Sequence, residues 1–152
     1  MEAALILHVL SAVVWVGGMF FAYMVLRPAA ADVLDAPQRL ALWARVFSQF
    51  FIWVWFAIIT LLFTGYGMLF AFFGGMAAAP IYIHLMQGAG LAMMLIFAHV
   101  YFAPYRRLRQ AVAAQDWSEG GRRLGQIRQL VGINLMLGLL VVTVAAAGRF
   151  VI

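Results

Sequence analysis

An all-α fold of four transmembrane helices, a four-helix bundle with both termini on the outer side, is the fold class this sequence predicts. Three observations carry it. The composition is 67% hydrophobic and only 10% charged, with a mean hydropathy of +1.02, outside the range of soluble globular domains. Four apolar runs each have the length of a membrane span. The arginines, finally, collect on one side of those runs.

The runs extend over 3–26, 47–73, 81–103 and 130–148, and each reaches the ~20 residues that cross a ~30 Å hydrocarbon core. At 152 residues the chain has room for one domain, 1–152. For the first run the competing reading is a cleaved signal peptide, since Ala29-Ala30-Ala31 offers a small-residue cleavage site. The acidic Glu2 and an apolar stretch longer than an h-region argue for a retained helix.

Orientation follows from the arginines, which accumulate in cytoplasmic loops. The segment after the first span carries Arg27, Arg39 and Arg45, and that after the third carries Arg106, Arg107, Arg109, Arg122, Arg123 and Arg128. The turn from Gly74 to Pro80 has no charge, and the N-terminal end has only Glu2. Both termini are therefore expected outside, on the periplasmic side of a bacterial inner membrane. The net charge of +5 reflects this topology, and no nucleic-acid motif accompanies it.

Within the spans Gly17, Gly18, Gly65, Gly67, Gly88 and Gly90 permit close approach of helices or of a flat cofactor. Trp53 and Trp55 suit an interfacial belt, and Trp43 lies near the inner surface. The stretch from Tyr105 to Gln129 reads as two amphipathic helices around a turn at Asp116-Trp117-Ser118-Glu119, expected to lie on the anionic inner leaflet. The nine methionines are scattered and read as packing residues.

With no cysteine, disulfides, thiolate metal sites and thiol catalysis are excluded. No nucleophile with an attendant base and no intramembrane carboxylate pair point to hydrolysis. What remains is histidine, for an ionisable group inside a span is a functional hypothesis by default. His8, His84 and His99 all fall in spans. His8 lies roughly 7 Å and His84 roughly 5 Å below the outer end of its helix, so their imidazoles are level. His99 is fifteen residues beyond His84, roughly 22 Å deeper. Two level imidazoles from two helices are what a six-coordinate haem b requires, although neutral imidazole also suits copper. Gln87 lies one turn from His84 and is expected to bond across helices or orient a ligand, while Arg149, at the outer end of the fourth span, is placed to meet haem propionates. His99 is offset from His84 by about 60° of arc at 100° per residue, so the two are expected to face the same interior. Met24, Asn134 or a quinone or porphyrin near Tyr101 and Arg106 are its candidate partners.

The run Leu7-His8 through Trp15, Gly17-Gly18 and Phe20 resembles the first helix of the CopD-like membrane proteins. His84-Leu85-Met86-Gln87 and Ala98-His99-Val100-Tyr101-Phe102-Ala103-Pro104 are similar to that superfamily's third helix. HemJ-type protoporphyrinogen oxidases belong to the same superfamily. The resemblance implies copper resistance or uptake on the CopD side, and on the HemJ side haem b held by a first-helix histidine, here His8. It also implies a third-helix lysine for the oxidase, where this chain has Met86 and Gln87 and no lysine at all.

The functional expectation is a membrane b-type haem protein in electron transfer, holding haem with His8, His84 and His99 and working with a quinone or periplasmic redox partner. Copper binding or transport through His8, His84 and Met19 or Met86 is the alternative. A HemJ-like oxidase and a cofactor-free structural subunit follow. Abundant small residues point to a homodimer.

Overall fold

The computed structural model describes residues 2–151, the side chains of Arg149 and Val151 excepted. Helix α1 (Glu2–Phe21) passes through a π-helical segment at Ala22–Leu26 into α2 (Arg27–Val33). A break at Leu34, where the backbone becomes extended, precedes α3 (Ala36–Phe73). A short turn leads to α4 (Ile81–Phe102), and α5 (Pro104–Ala113) and α6 (Trp117–Val151) complete the chain. Among the described residues there is no strand.

Local chemistry sets these boundaries. Asp35 caps α3 by accepting the Gln38 N–H, with Pro37 in the first turn, where its missing donor is harmless. Gly74 ends the same helix at φ +67° and donates its N–H to the Phe70 carbonyl, a conformation that costs a residue with a Cβ. Pro104 interrupts α4–α5 at Ala103, since proline clashes with the helix before it.

Four helical units are long and apolar enough to cross a membrane: Glu2–Val33, Ala36–Phe73, Ile81–Ala113 and Trp117–Gly148. None buries more than 28% of its most apolar window inside the bundle. Exposed side chains such as Phe63, Leu95 and Met136 thus need hydrocarbon around them, and a lipid bilayer supplies it. At 38 residues, α3 is about 57 Å long, so it projects well past the hydrocarbon core at the arginine-rich end.

Two helix pairs build the bundle: α1 packs along α3, and α4 along α6, while α5 lies against α6. Aromatic rings fill the seam between the pairs. Phe51 meets Phe97 edge-on at 5.2 Å and Tyr105 at 4.9 Å, and Trp55 meets Phe97 at 5.1 Å. Such pairs add roughly 0.5–1.5 kcal/mol each beyond area burial. Glycines bring the backbones closest elsewhere: a Cβ on Gly148 of α6 would sit 2.7 Å from the Tyr82 Cβ of α4.

The segment from Tyr105 to Gln129 departs from expectation. Tyr105, Leu108 and Ala111, the apolar face of α5, are buried against α3 and α6, and Ile127 is fully enclosed. That face is used within the bundle, so it does not lie on a leaflet. Trp43 is likewise a core residue at 5% exposure, while Trp53 is exposed.

Candidate functional site

The polar groups at the end of the bundle opposite the arginines form two interhelical links. His8 on α1 is half-buried and reaches α3, where its Nδ1 lies 2.8 Å from Thr64 Oγ1. The Thr64 hydroxyl itself donates to the Thr60 carbonyl at 2.6 Å. A hydroxyl has one proton. With that proton directed to Thr60, Thr64 accepts from His8, so Nδ1 carries a hydrogen and, in the neutral imidazole, Nε2 keeps its lone pair. This is the tautomer of a metal-ligating histidine, fixed as such histidines are by a hydrogen bond to the other ring nitrogen.

Gly65 completes the seat. A Cβ there would stand 3.1 Å from His8 Cε1, so the absence of a side chain at Gly65 leaves room for the imidazole beside α3. The second link is between α4 and α3: Gln87 Nε2 donates to Tyr66 Oη at 2.6 Å, and Gln87 Oε1 is buried with no protein partner. Gln87 thus bonds across helices as expected.

His84 and His99 are placed differently. Both are exposed, on a stripe with Ile81, Leu85, Gly88, Leu91, Leu95 and Phe102 at the three-to-four-residue spacing of one helix face. They do share a face, but it is the outward one. The inward face of α4 carries Met93, Phe97 and Val100. On a helix apolar all round, bulk and ring geometry decide which side is covered, and two imidazoles carry little weight in that competition.

The residues expected beside His99 sit in different surroundings. Asn134 is buried and donates from Nδ2 to the Met93 carbonyl at 3.3 Å, with Oδ1 unpartnered; Met24 is exposed. Met19 is buried in the core, and eleven residues from His8 along one helix it is roughly 16 Å away along the axis, too far to share a metal. The Arg149 side chain lies outside the described residues. Among the described residues, no group of three or more His, Asp or Glu side chains converges on a metal position.

Sequence reasoning missed Thr64 and Tyr66, the counterparts of His8 and Gln87, and read Gly65 only as a point of close approach. Thr60 and Thr64, hydroxyls four apart in an apolar run, were the available signal.

No curated protein and no solved structure matches the chain. A family profile described as copper resistance protein D matches residues 44–147. That range takes in the face of α3 that seats His8, together with His84, Gln87 and His99, and leaves out α1. It covers well over half of the sequence, and the chain belongs to the CopD family.

Proposed function

We propose that this chain is a copper-handling protein of the bacterial inner membrane and that His8 Nε2 is its ligand atom. The observation that supports this reading is the Thr60–Thr64–His8 relay, which leaves a neutral imidazole with a fixed, available lone pair inside a membrane helix. Membership of a family named for copper resistance agrees with it. Met68 stands one turn beyond Thr64 on the same face of α3; a thioether and an imidazole together make a soft donor set suited to Cu(I). In this reading both termini face the periplasm, in keeping with the arginine distribution.

Titration of the detergent-purified protein with Cu(I) against a chromogenic chelator tests the reading. It predicts stoichiometric binding that His8→Ala abolishes. A protein that retains no copper, or a His8→Ala variant with undiminished affinity, refutes it.

Haem b is the second reading, favoured by the same Nε2 lone pair. It needs a further axial ligand, and His84 lies on the outward face of α4, where a neighbouring copy in a homodimer would meet it. Electron transfer with a quinone or periplasmic partner belongs to this reading. A Soret band that sharpens and splits on reduction would favour it over copper, and a colourless copper-loaded protein would exclude it.

A further inference from the structure

At the arginine-rich end a cavity of ≈ 400 Å³ opens between α1–α2, α3 and α6, within the size range of ligand pockets. Arg27, Arg39 and Arg128 line it, with Tyr23, Trp43 and Trp117 among the aromatic walls. No carboxylate does. None of the five acids of the chain is among its lining residues. Glu2 is near the N-terminus at the opposite end, Asp32 is exposed, and Asp35 and Asp116 cap helices through Gln38 and Glu119. Glu119 pairs with Arg122 and Arg123, which do not line the cavity.

The cavity's arginines are instead positioned by neutral groups. The Arg27 guanidinium stacks 4.4 Å above the Tyr23 ring, and Arg39 donates from Nη1 to the Leu34 carbonyl at 3.3 Å. Both are half-buried. The π-helical segment Ala22–Leu26 forms part of the wall, and π-bulges of this kind are frequent at functional sites. Three arginines thus line one cavity with no carboxylate in its lining to offset their charge. Guanidinium forks match phosphate oxygens bidentately, and the apolar wall formed by Leu40, Phe47 and Val131 suits a hydrocarbon body.

We propose that this cavity is a binding site for a phosphate group, with Arg27, Arg39 and Arg128 as its ligands. Two sources share that chemistry: the headgroup of an anionic phospholipid and free phosphate. The site is separate from the His8 seat, near the other end of α1.

The experiment uses the whole 152-residue chain in detergent and three probes: dioctanoyl phosphatidylglycerol, inorganic phosphate, and dioctanoylglycerol, which lacks the phosphate. Saturable binding of phosphatidylglycerol alone supports the proposal with a lipid source. Binding of inorganic phosphate at the same site, seen as competition, supports it with a free source. Each of Arg27→Gln, Arg39→Gln and Arg128→Gln should weaken the bound probe roughly tenfold or more. Arg128 is exposed, so that variant folds even if the half-buried pair is needed for folding. Arg45→Gln, exposed at the same end and outside the cavity, should leave affinity unchanged. Binding of dioctanoylglycerol as tight as that of the lipid phosphate overturns the proposal, as does binding of neither phosphate probe. Affinity unchanged in Arg128→Gln, or reduced equally in Arg45→Gln, also overturns it.

Discussion

Thr64→Val keeps the shape of the side chain on α3 and removes one oxygen. In the folded protein that oxygen accepts the His8 Nδ1–H and donates to the Thr60 carbonyl. Its loss leaves an imidazole N–H unpaired in an apolar setting, a cost of about 1–3 kcal/mol. The ring is then free to turn or to move its proton to Nε2, the nitrogen proposed to bind metal. Loss of an outer hydrogen bond to a ligating histidine costs about 10–100-fold in metal affinity, equivalent to about 1.4–2.8 kcal/mol, which agrees with the desolvation figure. The assay is Cu(I) competition on wild type, Thr64→Val and Thr64→Ser, with thermal unfolding in the same detergent as control. The serine variant should restore most of the affinity because it returns the hydroxyl without the methyl. Wild-type affinity in Thr64→Val would refute the tautomer argument. So would equal losses in the valine and serine variants, which would assign the effect to packing.

Gly148→Ala should destabilise the α4–α6 pair by roughly 1–3 kcal/mol, because the new Cβ would lie 2.7 Å from the Tyr82 Cβ, an atom too near the backbone to swing aside; thermal denaturation in detergent reads it. Asn134→Leu removes the unpartnered buried Oδ1 together with one long bond to Met93, and should be neutral or stabilising by up to about 1 kcal/mol; a large loss of stability in the same melt would show that the amide is needed. Alkaline phosphatase fused after the last helix should be active and a cytoplasmic fluorescent reporter dark, as the arginine distribution requires. An active phosphatase in the turn between α5 and α6 would reverse the topology.

The spans were legible because run length and charge are additive along a chain. Phe47–Phe73 could be recognised as a span without knowing its neighbours, although α3 begins earlier, at Ala36, where alternating polar residues hide a helix that continues beyond the lipid. Rise per residue gave each histidine an expected depth, and that singled out His8 and His84. Direction was not legible. His84 and His99 lie on one face, as their spacing requires, yet that face is turned outward, because on α4 Phe97 and Met93 pack better than imidazole does. The seat of His8 was hidden for a related reason. Thr64 is uncharged, and only its position opposite α1, a property of two helices together, gives its hydroxyl a role. The cavity near Arg27 required three separate segments to converge, although each of its arginines had already been read as a marker of sidedness.

The turn from Gly74 to Pro80 joins α3 to α4 without a single charged residue, and two glycines with positive φ let it close tightly. For a hairpin inserted from the arginine side, the connecting backbone is all that has to traverse hydrocarbon. No ionised group has to shed its hydration shell on the way, so α3 and α4 can enter as one unit. The same economy makes the turn vulnerable, since a single arginine introduced at Ala77 or Ala78 would impose on insertion a barrier that the finished bundle never experiences.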